Sequence, residues 1–444
     1  MFDSFYQTDT SSPKHYILLS GLATILPLSA WINFINVPLV LHLFELTGEI
    51  PFWAWAVTPG GRQLLAEAPP ADGSCVLDKF GAVSGFVCLD GRYGEKYFAA
   101  NPETLRLCVA CSKSTPVPND HLNMKIIHNR VQQLEVIHVS RTSKKERPCT
   151  VRYFASATSL CGWVLLTLLS ALAIYLHCWL MLAYLVVVPL TGATVYLIRG
   201  SKPRMLRMEE SGSQYNRVAV VAKHMNANTW QVFYGESTVV NRLLNWPLKP
   251  EMHPVANNRF LLIVLQGLIL AQWALTVFAS ASQGWDAFLI TFWVAFSLFA
   301  NACIFTPRRI TSNWMKQHAD LRLERFCTDL SSRRALLNTI VALNPDTFAF
   351  DEVKNQVDYT SLSSGGLSWI DPILKQGDDR TKWEEATWRA MLATRTGQYS
   401  ENGESDGRGD DSGPLYWHKF IPEGIEVANR IKETAQLSGR LVRT

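Results

Sequence analysis

The chain has 444 residues, 48% hydrophobic and 18% charged, with a formal net charge of +4. That length holds a helical bundle plus one or two further domains, and so small a net charge excludes a general electrostatic affinity for nucleic acid. The averages conceal two populations, because residues 15–44, 153–198 and 260–307 contain no Asp, Glu, Lys or Arg apart from Asp286.

Residues 1–57 read as an N-terminal tail and a first transmembrane helix. A crossing needs about 20 apolar residues at 1.5 Å rise each, and 15–44 supplies them. Pro27, Asn33, Asn36 and Pro38 interrupt the run, so a re-entrant or interfacial path stands beside a full crossing. No basic n-region precedes it and the run is too long for a cleavable signal peptide. Phe52-Trp53-Ala54-Trp55 is expected to anchor at headgroup depth.

Residues 58–152 read as a cytosolic strand-rich segment. Gly85-Phe86-Val87-Cys88-Leu89 is followed by Asp90-Gly91, a hairpin turn signal. Met124-Lys125-Ile126-Ile127 and the period-two run Leu134-Glu135-Val136-Ile137-His138-Val139 read as further strands. Cys108 and Cys111 have the spacing of zinc and thiol redox pairs. Residues 105–111 read as a strand, however, which sends the two thiols to opposite faces, and no second Cys/His pair matches them. Plain buried thiols are expected; of the nine cysteines, Cys161, Cys178 and Cys303 fall in or beside apolar helices.

The 46 residues of 153–198 would make a helix about 69 Å long, so they read as a transmembrane hairpin turning near His177. Residues 199–259 carry nine Lys/Arg against four Asp/Glu. Within them, Arg217-Val218-Ala219-Val220-Val221-Ala222 and Thr229-Trp230-Gln231-Val232-Phe233-Tyr234 flank a turn. Glu236-Ser237 then caps a short helix that Trp246-Pro247 ends. The two strand-rich segments, each too small for its own core, are expected to share one sheet. Residues 260–307 read as a second transmembrane hairpin around Asp286.

Residues 308–395 read as a helical tail. Trp314, Leu321, Leu323, Phe326, Leu330, Leu336, Leu337 and Ile340 fall at helical spacing among basic residues, suiting either the anionic leaflet or the cytosolic domain. Residues 396–414 are a flexible linker by composition, where Arg408-Gly409-Asp410 is read as coincidence, and 415–444 close the chain with a terminal helix.

Charge placement orients these elements. Arg199, Lys202, Arg204 and Arg207 follow one apolar block; Arg308, Arg309 and Lys316 follow another; Lys144, Lys145, Arg147 and Arg152 precede 153. The positive-inside rule puts all three clusters in the cytoplasm, and of the 42 Lys and Arg only Lys14 falls outside. The absence of any Asn-x-Ser/Thr acceptor agrees. The expected fold class is membrane α-helical: about five transmembrane helices, one plus two hairpins, with a small cytosolic α+β module and a helical C-terminal tail.

Catalytic signatures are missing. There is no GxxxxGK[ST], GxGxxG or HExxH, and one turn aspartate cannot supply the pair that holds magnesium on a diphosphate. No catalytic, cofactor-binding or metal-ligating residue is assigned and no cofactor is expected. Glu45 and Glu49 beside His42 come nearest to a cluster, and His177 with Asp286 could handle protons at an outer mouth.

The run Val218-Ala219-Val220-Val221-Ala222-Lys223-His224-Met225-Asn226, Trp230-Gln231-Val232-Phe233-Tyr234-Gly235-Glu236-Ser237 and Asn241-Arg242-Leu243-Leu244-Asn245 resembles uncharacterised polytopic membrane proteins of filamentous fungi, as does the layout of one helix, two hairpins and a polar tail. The resemblance implies lineage and carries no site residues. The expected function is that of an integral multi-pass membrane protein, non-enzymatic, with the lipid bilayer as one partner and a protein, bound through the cytosolic sheet and tail, as another; no nucleic acid is expected. An accessory membrane enzyme in a lipophilic small-molecule pathway and an oligomeric channel or transporter are the alternatives.

Overall fold

The computed structural model describes residues 37–48, 50–57, 75, 77–78, 85–123, 131–142, 150–199, 203–206, 215–248, 259–282, 284–351, 356–363, 365–371, 373–395 and 419–437. Its helices are α1 (Val37–Thr47), α2 (Pro102–Cys111), α3 (Thr150–Tyr175), α4 (Trp179–Arg199), α5 (Ser237–Asn245), α6 (Arg259–Ser282), α7 (Trp285–Phe299), α8 (Pro307–Gln317), α9 (Arg333–Leu343), α10 (Asp378–Arg395) and α11 (Ile421–Thr434). Its strands are β1 (Val87–Asp90), β2 (Lys96–Phe98), β3 (Lys113–Pro116), β4 (Gln132–Arg141), β5 (Asn216–Ala222), β6 (Thr229–Glu236), β7 (Leu321–Leu330), β8 (Phe348–Asp351) and β9 (Gln356–Leu362). They belong to two compact units. One comprises Met1–Lys79, Glu146–Met205 and Leu248–His318; the other comprises Phe80–Lys145, Leu206–Pro247 and Ala319–Thr444.

The first unit is helical. Between α3 and α4 the chain reverses at His177, whose φ of 54° is left-handed; the Cys178 N–H donates to the Ala173 carbonyl at 2.8 Å and closes the end of α3. The Asp286 carboxylate, in the first turn of α7, accepts the Met181 N–H of α4 at 2.8 Å, so it satisfies a donor that the start of a helix leaves open. α4 packs along α6, with Met181, Tyr184, Leu185, Val188 and Val195 buried on one helix and Leu265, Ile269 and Gln272 on the other.

The Phe52–Trp55 segment corrects the headgroup-anchor expectation. Trp53 is fully buried: it stacks on Phe296 at 5.3 Å, meets Trp293 edge-on at 6.2 Å and donates from Nε1 to the Ser159 carbonyl at 3.2 Å. Pro51 and the short turn at Phe52–Ala54 keep the backbone out of α-helix, so its polar groups need partners from elsewhere. Gln272 of α6 supplies them, accepting the Val57 N–H at 3.0 Å and donating to the Trp55 carbonyl at 3.2 Å and to Thr191 Oγ1 at 2.7 Å.

The second unit is built on a seven-stranded sheet of order β2-β1-β5-β6-β4-β7-β3. β4 runs parallel to β6 and β3 parallel to β7; every other pair is antiparallel. Alternation puts Leu134, Val136, Val218, Val220, Trp230 and Val232 into one core with Leu336, Leu337 and Ile340 of α9 and Ile425 and Ala428 of α11. α5 packs on β4, β5 and β6, and α2 on β7, through Val239, Val240, Leu243 and Leu244 in the case of α5. The antiparallel pair β8–β9 stands apart from this sheet.

The expected membrane α-helical class is therefore corrected. A seven-stranded mixed sheet with packed helices makes this a mixed α/β architecture, and among the described residues three helices, Trp179–Arg199, Arg259–Ser282 and Trp285–Ile304, are long and apolar enough to cross a membrane. The apolar part of α3, Ser159–Tyr175, is shorter, and 15–36 lies outside the described residues. Nor is 308–395 a helical tail, since it contributes β7, β8 and β9 as well as α9 and α10. The physical reason is that one sheet draws its strands from all three polar segments, so the sheet-bearing unit is a domain in its own right and not a set of appendages to a bundle. The expected strand at 124–127 and the linker at 396–414 fall outside the described residues.

Candidate functional site

α1 places His42 and Glu45 one turn apart, hence on one face. Glu45 Oε1 accepts from Arg199 Nη1 at the end of α4 at 3.2 Å, and Arg204 Nη2 lies 3.9 Å from Oε2. Arg204 is itself fixed along its length: its N–H donates to the Leu46 carbonyl, its Nη1 to the Leu248 carbonyl, and its own carbonyl accepts Trp314 Nε1 of α8 at 2.7 Å. Both guanidiniums and the carboxylate are buried. Removing one member of such a cluster leaves an uncompensated charge and costs about 3–5 kcal/mol.

Beside this network Cys75 and Asp78 come up against His42. The imidazole nitrogen, the thiol sulfur and a carboxylate oxygen all lie within 4.8 Å of one another, and all three residues are buried. Burial holds the His42 imidazole neutral, lowering its pKa to about 4, against the pull of Glu45 and with help from Arg204. Burial likewise pushes the Cys75 thiol well above its ordinary value; Arg204 opposes the rise, while Glu45 and Asp78 add to it. Both groups lie outside the three apolar helices. Chemically the site offers one nitrogen, one sulfur and one oxygen donor, the mixture that borderline divalent metals accept. Among the described residues no other group of three or more such donors converges.

The residues singled out from sequence fare differently. His42 and Glu45 stand together at this site, whereas Glu49 is outside the described residues. Cys108 and Cys111 lie on helix α2, not on a strand, so their three-residue spacing puts them on one face; Cys108 is buried and Cys111 half-buried. No third donor joins them among the described residues. His177 sits at an exposed left-handed turn and Asp286 caps α4, roles that are conformational. Sequence reasoning missed Cys75 and Asp78, whose only signal was a one-turn spacing. Comparison of the chain with protein-family models, with curated proteins and with solved structures returned no match.

Proposed function

We propose that the chain is a multi-pass membrane protein, held in the bilayer by its apolar helices, whose sheet-bearing unit faces the cytosol and binds a partner without turnover. The observation that carries the membrane reading is the set of exposed apolar stripes. Leu160, Val164, Leu168 and Leu172 recur every fourth residue on α3; Ile263, Leu270 and Val277 recur every seventh on α6; Trp285, Phe292 and Phe299 do so on α7. Large apolar side chains in water each forgo roughly 1.5–3 kcal/mol of transfer free energy, and stripes this long are satisfied by hydrocarbon. Arg199 ends α4, Arg259 begins α6, and Arg308 and Arg309 follow α7. Basic residues at those ends favour the cytosolic side.

Partner binding is supported by an aromatic edge. Among the described residues β2 is paired only with β1, and Phe98 at its end is 69% exposed. Bonds from the Ala100 N–H to the Leu244 carbonyl and from Asn101 Nδ2 to the Trp246 carbonyl tie this edge to the end of α5. There Trp246 is also exposed, with the Arg242 guanidinium 3.9 Å from its ring centre. Aromatic and Arg side chains dominate interface energetics, and an open edge can accept a further strand. Two measurements test the proposal. The protein should stay with membranes through carbonate extraction, and release into the supernatant would overturn the membrane assignment. A photo-crosslinking residue at Phe98 should give a protein adduct of discrete mass in cells; lipid adducts alone, or none, would overturn partner binding.

A further inference from the structure

We infer that His42, Cys75 and Asp78 form a zinc site in the helical unit, a conclusion that goes beyond the membrane and partner-binding reading and does not depend on it. Three donors of three chemical kinds converge within 4.8 Å, and all are buried. They come from two stretches of chain more than thirty residues apart. Bonds of about 2.0–2.1 Å to nitrogen, 2.3 Å to sulfur and 2.0–2.2 Å to oxygen in a tetrahedral shell put donors roughly 3.5 Å apart, so donors already within 4.8 Å of one another reach an ion by closing inward through side-chain rotation. Zn²⁺ accepts Cys, His and Asp together, while Mg²⁺ and Ca²⁺ prefer all-oxygen shells. Loss of the thiol proton takes the three donors to a net charge of −2, and the dication then brings the buried cluster to neutrality.

The surrounding residues fit that role. Glu45 lies one turn from His42, and its two guanidinium partners anchor it at the same end of α4. Arg204 is held by three further bonds to α1, α8 and the Leu248 backbone. These bonds brace the part of α1 that carries His42. Three protein donors leave one coordination position for water or another small ligand, the arrangement of zinc sites that remain open.

The full-length protein, purified in detergent from cells grown with zinc, provides the test. Elemental analysis should find stoichiometric zinc, and X-ray absorption at the zinc edge should give a shell of one sulfur with nitrogen and oxygen neighbours. Cys75→Ser and His42→Gln should each lose the metal, while Cys88→Ser and Cys108→Ser should keep it. If the Cys75 and His42 variants do not fold, the wild-type absorption spectrum decides alone. Folded wild-type protein without stoichiometric zinc would overturn the inference. So would a shell with two or more sulfurs, or zinc retained in folded Cys75→Ser.

Discussion

Asp90 shows how much one side chain can organise in the sheet-bearing unit. Its carboxylate takes Arg217 in a two-point contact, at 2.7 Å from Nε and 2.6 Å from Nη2. It also accepts the backbone N–H groups of Arg92 and Tyr93 at 3.2 and 3.1 Å. One buried anion thereby closes the β1–β2 turn and clamps β1 to β5. Asp90→Ala should destabilise this unit by about 3–5 kcal/mol, because the Arg217 charge stays behind. Asp90→Asn should recover part of that by keeping the turn bonds. Hydrogen exchange at β1 and β5 would read both, and an Asp90→Ala variant with wild-type protection would refute the argument. His138 of β4 adds a pH effect: burial depresses its pKa, Arg322 adds to the shift and Glu324 opposes it. The unfolded chain then takes up the proton first as pH falls through about 6.5. Stability is full above that value and declines towards the lower folded pKa; His138→Gln should flatten this slope in denaturation midpoints compared at neutral and mildly acidic pH. The Asp90-Gly91 turn was legible in the sequence because a turn is local. The Arg217 partnership, like the meeting of His42 with Cys75 and Asp78, was not, since it depends on which distant segments become neighbours.

At the scale of elements, the 50–57 segment and the glycines around it give the sharpest expectations. A Cβ on Gly162 of α3 would lie 2.0 Å from Trp53 Cε2, and one on Gly192 of α4 would lie 2.6 Å from the Phe52 carbonyl oxygen. Trp53→Ala should cost about 3–5 kcal/mol through the cavity it leaves. Gly162→Ala should also destabilise, but only while the indole is present, because its three nearest atoms all belong to Trp53. The pair is therefore expected to be non-additive in a double-mutant cycle of thermal stability in detergent. Additive costs would mean that Trp53 is not what fills the space beside Gly162. Gly192→Ala has no such rescue, since it meets backbone. Two elements were misread from sequence for identifiable reasons. The start of α2, Asn101-Pro102-Glu103, carries a helix signature, with Pro at the first position and an acid in the first turn; the apolar run after it hid this. In β7 the buried positions change face partway: Leu321 and Leu323 are buried, then Phe326, Thr328 and Leu330, while pairing with β4 continues residue by residue across ten positions. Leu323, Phe326 and Leu330 thus fall at i, i+3 and i+7, which imitates a helix. β5, β6 and α5 lie where the sequence places two strands and a short helix.

At the scale of the whole molecule, the proposed orientation makes a direct prediction. With a membrane-impermeant thiol reagent on intact cells, a cysteine at Ser282, near the turn between α6 and α7, should label. One at the exposed Gln376 should label only after permeabilisation. The reverse pattern would invert the molecule. The strand order has a consequence for the time course of synthesis. β1, β2, β3 and β4 emerge first, yet β4 pairs with β6, encoded after α3 and α4, and with β7, encoded after α6 and α7; among the described residues β3 is joined to the sheet only through β7. At 5–20 residues per second, β4 waits roughly 10–40 seconds for its last neighbour to be made. During that interval its edges are open and apolar, the state in which strands recruit wrong partners. A ribosome-stalled chain ending before residue 321 should accordingly be bound by chaperones and cleared quickly, whereas one extended through α11 should be released from them. The cell, on this account, must hold the early strands in reserve until both helix pairs have been placed.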